Sequence, residues 1–280
     1  MDSNSACKIS ILMPAYNAEK YIGEAIESIL NQTLTDFEFI IVDDCSTDRT
    51  WEIIQKYKEK DKRIIAIKNE KNLGIAGNRN KLKKLARGIY VVWQDADDIS
   101  MPDRFKHQYE FMEANQSVGI CGGWLDFFNG NGQSSVRKYK EKDEDLRKNI
   151  FRFSPMSQGA AIIRKSVLDE MGDYDLNYPS AEDLDMSFRI GKKYKFANLQ
   201  ELVLRYREND DGATFTKLKT TELKTISIRL KYADGKFYRM TVGDHFYSIL
   251  QYISVFLIST KFKIFLFNIL RNNKQSNATN

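Results

Sequence analysis

Three carboxylates, Asp95, Asp97 and Asp98, stand directly behind a short apolar run in the stretch YVVWQDADDISMPDR, residues 90–104. A buried strand that runs into Asp-x-Asp brings acidic side chains to the carboxyl edge of a sheet, where open α/β proteins bind ligands. Carboxylates crowded there repel one another and call for a divalent cation, and hard oxygen donors favour Mg2+ or Mn2+. A metal with few protein ligands usually also holds a phosphate. A solvated loop capping the helix that starts near Met101 would use the same residue types, since Asp is common in turns and at N-caps. A second run, FEFIIV at Phe37 to Val42, also ends in acids, Asp43 and Asp44, with Ser46 and Asp48 behind them. Two strands carrying acids to one sheet edge are harder to explain by capping alone.

The elements that position these residues are legible from periodicity. Ile9 to Met13 reads as a strand, and Ala18 to Asn31 places Tyr21, Ile22, Ala25, Ile26, Ile29 and Leu30 at the spacing of an amphipathic helix. Phe37 to Val42 is the next strand. A helix capped by Thr47 or Asp48 and carrying Trp51, Ile54 and Tyr57 leads to a strand at Ile64 to Ile67. A further helix at Gly77 to Ala86 precedes the strand at Ile89 to Trp93. Such alternation predicts a largely parallel sheet with helices on both faces. From Gln116 the apolar runs shorten to Val118–Cys121, Trp124–Phe128 and Ala160–Ile163, which predicts a mixed or antiparallel extension of the sheet. Helix signals return at Lys165 to Met171 and Glu182 to Lys193, and Leu202 to Tyr206 reads as a late strand.

A chain of 280 residues with 42% hydrophobic and 12% aromatic content can bury a substantial core as one large domain or as a domain plus an appendage. Its three cysteines, Cys7, Cys45 and Cys121, form no CxxC pair, and there are only two histidines, so neither a disulfide framework nor a His/Cys zinc site is expected. A reducing cytosol and the absence of an apolar leader behind MDSNSACK place the expected location in the cytoplasm. The net charge of +5 is unevenly spread: from Lys217 onward there are 11 Lys and Arg against 3 Asp and Glu. A mildly acidic body with a basic tail points to an anionic partner for the tail.

Neither G-x-G-x-x-G after the first strand nor G-x-x-x-x-G-K-[ST] occurs, which argues against a dinucleotide-binding enzyme and a P-loop NTPase. Phosphate must be held another way, by a metal on the Asp-x-Asp and by cations such as Arg79. The chain resembles a family 2 inverting glycosyltransferase of the GT-A fold, of the kind that builds bacterial surface polysaccharides. The matching motifs are MPAYN (Met13–Asn17), VDDCSTD (Val42–Asp48), NLGIAGNRN (Asn72–Asn80), QDADD (Gln94–Asp98) followed by MPDR, and AED (Ala181–Asp183), in the family's order.

The resemblance implies a mixed, mostly parallel central sheet flanked by helices, with a GT-A catalytic domain at 1–214 and a C-terminal helical extension at 215–280. It implies a nucleotide-sugar donor, a UDP-sugar by preference, and Mn2+ or Mg2+. Pro14 and Tyr16 would line the nucleotide site, Tyr16 packing on the base, and Asp44 would accept a hydrogen bond from a uracil-type N–H. Arg79 would contact the diphosphate, Asp95 the ribose or the metal shell, and Asp97 the metal. Asp183 would be the base that takes the acceptor hydroxyl's proton, while the metal relieves charge on the departing diphosphate. One displacement would invert the anomeric centre. Glu182 would orient the acceptor. This chain departs from the family at Tyr206–Arg207–Glu208–Asn209, where many members end in histidine, so Asn209, Asp210 or water would stand near the metal. Gln158 also stands where a histidine is common.

The tail Ile249 to Leu270 is apolar and about long enough to span a bilayer, but Lys261 and Lys263 lie within it. Each lysine near a bilayer centre costs about 2.5 to 3.5 kcal/mol. Ile249, Tyr252, Ile253, Phe256 and Leu257 share one helical face among basic residues, which predicts helices lying on an anionic inner leaflet. A helical pair packed on the catalytic body and a true span are the alternatives. The expected partners are therefore a nucleotide-sugar, a glycan or glycolipid acceptor and an anionic membrane surface, with no nucleic acid. Two rival functions use the same features. A sugar-nucleotide nucleotidyltransferase would need a Gly- and Lys-rich loop where this chain has MPAYN. A nucleic-acid-binding protein would use the basic tail, against the repulsion of the acidic edge.

Overall fold

The computed structural model describes residues 7–129, 132–208, 217–233, 235–259 and 262–263. β1 (Ile9–Ala15), β2 (Phe37–Asp43), β3 (Ile64–Lys68) and β4 (Tyr90–Trp93) lie parallel in the order β3-β2-β1-β4. They are joined through α1 (Ile22–Leu30), α2 (Thr50–Lys60) and α3 (Gly74–Leu85). Side chains alternate between two buried layers. Leu12, Ile40, Val42, Val91 and Trp93 face one core with Leu82 of α3, whereas Ile11, Met13, Phe39, Ile41 and Val92 face the other with Ile22, Ile26 and Ile29 of α1. Cover on both faces is why these strands read as unbroken apolar runs.

Beyond β4 the sheet turns mixed. β5 (Ile99–Ser100), β6 (Val118–Phe128), β7 (Ser134–Arg137), β8 (Ile162–Arg164) and β9 (Lys195–Arg207) complete the order β4-β8-β6-β9-β5, with β7 on β6. β4 with β8, β6 with β8, β6 with β7 and β5 with β9 are antiparallel, and β6 with β9 is parallel. The runs expected as two strands at Val118–Cys121 and Trp124–Phe128 are one strand. Gly122 and Gly123 break the apolar pattern because β9 lies against them: a Cβ on Gly123 would sit 2.5 Å from Val203. β9 likewise begins at Lys195 instead of Leu202, since its first half carries Asn198, whose amide nitrogen donates to the carbonyls of Lys140 and Pro155.

α4 (Arg104–Ala114), α5 (Asp143–Asn149), α6 (Lys165–Met171) and α7 (Glu182–Gly191) surround this half, and α8 (Leu218–Tyr232) and α9 (Val242–Leu257) follow. α8 is fastened to α7: the Tyr232 ring stacks on Phe188 at 4.7 Å, and Tyr232 Oη and Lys231 Nζ both donate to Asp185 Oδ1. The described part of the extension is therefore a helical pair packed on the body. The expected 214/215 boundary, Asn209, Asp210 and residues 264–280 lie outside the described residues. No described helix is long and apolar enough to cross a membrane.

Candidate active site

Parallel pairing sets Ala15 opposite Asp43 and Leu12 opposite Trp93, so β1, β2 and β4 end along one edge. Pro14 is the penultimate residue of β1, Tyr16 directly follows the strand with 53% of its surface exposed, Asp44 follows β2, and Asp95 to Asp98 follow β4. Among the described residues the non-glycine positions with positive φ are Asn17 (48°), Cys45 (63°) and Ser180 (65°). One stands directly behind Tyr16, one behind Asp44 and one two residues before Glu182. Left-handed backbone at ordinary residues is held only where the surroundings impose it, and it concentrates at functional sites. Here the first two turns hold each other: Asn17 N–H donates to Ser46 Oγ at 3.0 Å, and Thr47 N–H donates to Asn17 Oδ1 at 2.9 Å.

Asp44 is buried and accepts from the N–H groups of Leu73 and Gly74, at 2.8 and 3.0 Å, and from Asn69 Nδ2 at 2.8 Å. Its charge thus sits at the amino end of α3, where the helix dipole favours it. A carboxylate has about four acceptor positions, so one more donor can be received.

The backbone of the 95–98 loop is held from several sides. Gln94 Nε2 donates to the carbonyls of Asp95 and Asp98, and Arg207 donates through its backbone N–H to Asp98 Oδ1 and through Nε to the Asp97 carbonyl. Arg104, almost fully buried, donates to Gln94 Oε1, Ser100 Oγ and the carbonyls of Trp93 and Gly159. Burial lowers its guanidinium to about 9. Asp98 is buried with Oδ2 unpartnered, and burial, with Asp95 and Asp97 nearby, raises its carboxyl well above the ordinary range. Asp95 and Asp97 are half-buried, and a Cβ on Gly159 would lie 2.7 Å from Asp95 Oδ2.

Asp183 lies in the first turn of α7, half-buried, with Oδ1 accepting from the Leu184 N–H at 2.8 Å. Arg79 connects it to the sheet edge. This residue is buried rather than a solvated helix position, with its guanidinium 5.0 Å from the Trp93 ring and 5.4 Å from the Tyr174 ring. It donates to Gln158 Oε1 at 2.6 Å, and its Nε lies 3.4 Å from Glu182 Oε1. Tyr174 Oη donates to the same Gln158 oxygen, and Gln158 Nε2 donates to the Asp183 carbonyl at 3.0 Å. Burial opposes the charge on Arg79, but Glu182, Tyr174, Asp95 and Asp183 around it raise its affinity for the proton. Burial pushes Glu182 up to about 7 against the pull of Arg79, and raises Asp183 in the same way. Raised carboxyls grouped around one cation mark a functional site more often than a structural one.

Among the described residues no group of three or more His, Cys, Asp or Glu side chains converges to hold a metal ion. A cation shared with substrate phosphates needs only one or two carboxylates. Asp95 and Asp97 are hard oxygen donors on one short loop, beside the orphaned Asp98 oxygen, and that donor set fits Mn2+ or Mg2+.

Comparison with known proteins decides the family. The profile of glycosyl transferase family 2 matches residues 10–172. The chain belongs to glycosyl transferase family 2. It is 35% identical to an uncharacterized glycosyltransferase of Methanocaldococcus jannaschii over 261 residues, 90% of each chain. It is 31% identical to the Escherichia coli UDP-Glc:alpha-D-GlcNAc-diphosphoundecaprenol beta-1,3-glucosyltransferase WfaP over 236 residues, 79% of this chain and 87% of that one. Among solved structures it resembles a mannosyltransferase of Pyrobaculum calidifontis in complex with GDP-Man and Mn2+, with a TM-score of 0.65, 17% identity, and 91% of this chain and 71% of that one covered. The fold of this family 2 glycosyltransferase is thus GT-A, as its motifs implied. Tyr174 and Arg104 were not foreseen as parts of the site, and Gln158 was noted only as a departure from the family pattern. Gln158 and Tyr174 announce themselves only through bonds to residues far off in sequence.

Proposed function

We propose that this glycosyltransferase moves a sugar from a UDP-sugar to a glycan carried on a lipid at the inner face of the cell membrane, with inversion. The observation that carries the reading is the Arg79 bridge, which couples the acidic edge after β4 to the acidic turn of α7. A donor lying along the edge would present its anomeric carbon towards Asp183. Tyr16 stacks on the base, beside Pro14, and Asp44 accepts from the ring N–H in its remaining position. Asp95 and Asp97 would hold Mn2+ or Mg2+ together with the donor's phosphates. Bound there, the metal supplies neutralisation of charge on the leaving diphosphate.

The acceptor hydroxyl oxygen forms the new bond to the anomeric carbon from the face opposite the diphosphate. The bond to the diphosphate breaks with its electron pair leaving on oxygen, and the hydroxyl proton passes to Asp183. The uridine preference and the lipid-linked acceptor are supported by the activity in the name of the Escherichia coli relative. The acidic edge, which repels nucleic acid, and MPAYN at the first turn favour this reading over both rivals.

Calorimetric titration of UDP, GDP and dTDP with and without Mn2+, on wild type and Asp97→Ala, tests it. Mn2+-dependent binding of UDP that Asp97→Ala abolishes supports the site as drawn. Binding of none of the three nucleotides under either condition overturns it.

A further inference from the structure

α9 is built inside out. A helix on the surface of a water-soluble body turns its apolar stripe to the core and its polar face to solvent. In α9 the buried positions are Asp244, Ser248 and a single apolar residue, Val255, and the half-buried Gln251 lies on the same face. Two of the three polar residues are met from within: Asp244 Oδ1 accepts from Arg152 Nε at 2.6 Å and Gln251 Oε1 accepts from Arg229 of α8 at 2.7 Å, while Ser248 Oγ is buried without a hydrogen-bond partner among the described residues. The opposite face carries Val242, Phe246, Ile249, Leu250, Ile253, Phe256 and Leu257, all exposed, with Val242 at 87% and Leu257 at 78%. An exposed face of this kind, continued by an apolar sequence to Leu270, marks an interaction surface.

We infer that α9 is a membrane-docking helix that lies flat on a bilayer containing anionic lipid, with Phe246, Ile249, Ile253, Phe256 and Leu257 inserted below the headgroups. Charge selects the lipid surface over another protein. Lys217 and Lys219 at the start of α8 and Lys236 and Arg239 on the link into α9 are exposed, and Lys219 Nζ stands 4.9 Å over the Phe256 ring. The described acids of the extension are ion-paired, Asp244 buried against Arg152 and Glu222 with Lys263. Lysine beside an aromatic at headgroup level suits an anionic membrane, where each such cation adds attraction. A second copy of the chain would set the same basic rims against each other.

The docking also reaches the site. α9 and α8 are joined through Gln251 and Arg229, and α8 holds Asp185, on the same turn of α7 as Asp183. Insertion of α9 therefore fixes the distance between the bilayer surface and the proposed base. The docking stands on α9 itself; its use in presenting a lipid-linked acceptor rests on the function proposed above.

The test is sedimentation of the full chain with vesicles of phosphatidylcholine alone and of phosphatidylcholine with phosphatidylglycerol, for wild type, Ile249→Asp and Phe256→Asp. Wild type binds the mixed vesicles, less so as salt rises, and each substitution weakens partitioning about tenfold or more. Because both side chains are exposed, the variants keep the wild-type melting temperature and UDP affinity. Wild type that binds neither vesicle, or variants that bind as well as wild type, overturn the inference. So does self-association in analytical ultracentrifugation that the same substitutions abolish, which assigns the face to a second copy. Vesicle binding without UDP binding supports the docking and overturns the donor reading alone.

Discussion

Replacing Glu182 with glutamine should make this protein more stable at alkaline pH and leave it unchanged in acid. Burial holds the Glu182 carboxyl at about 7, against an ordinary value of 4.5, with Arg79 opposing the rise and Asp183 adding to it. Because the folded value is raised, the folded state binds this proton more tightly than the unfolded chain does. The stabilisation is complete below about pH 4.5 and is lost as pH climbs through about 7. At about 1.4 kcal/mol for each pH unit separating the two values, ionising Glu182 in place costs the fold on the order of 3 kcal/mol. Glutamine mimics the protonated acid in shape and cannot ionise. Thermal melts of wild type and Glu182→Gln should therefore coincide near pH 4 and diverge towards pH 8, the variant melting higher by about 6 to 12 °C at roughly 2 to 4 °C per kcal/mol. Differential scanning calorimetry across that range reads the gap directly. A gap that stays constant with pH, or that favours wild type in alkali, would refute the account of a carboxyl strained by burial.

Other perturbations separate binding from chemistry. Asp183→Asn should lower the transfer rate by about 10² to 10⁴ while UDP titrates normally; a similar loss of UDP affinity would remove Asp183 from the role of base. Since burial raises Asp183, wild-type activity should climb with pH across a limb lying above the ordinary aspartate range, and a limb at the ordinary value would contradict the burial seen here. Gly159→Ala puts a Cβ 2.7 Å from Asp95 Oδ2 and should weaken Mn2+-dependent UDP binding more than metal-free binding. Equal losses in the two conditions would detach Asp95 from the metal. Tyr16→Ala removes an exposed ring, so UDP affinity should fall by about 1 to 3 kcal/mol in calorimetry with no change in melting temperature.

What the sequence disclosed and what it hid follow from the range of the interactions involved. The apolar runs before Asp43 and Asp95 were legible because those strands are covered on both faces and end where cover ends. The acids after them were legible because nothing local requires so many. Arg104 in MPDR looks like the start of a surface helix, yet it is buried under contacts to Trp93, Gln94 and Gly159, the last of which comes from chain that folds back from elsewhere. Gln158 is a neutral amide in a short turn, and only the arrival of Arg79, 79 residues away, makes it the hub of the site. α9 shows the limit most sharply. Its spacing announces one apolar stripe, which periodicity alone would assign to the core and which only the surrounding basic residues turned towards an expected membrane surface. Its outward turn depends on Arg152 and Arg229, which belong to other elements and meet Asp244 and Gln251 on the polar face of α9 from within. Period fixes which residues share a face. Which face turns inward is decided by what the rest of the chain offers it, and here the chain offers guanidinium groups to the polar side and leaves the apolar side exposed.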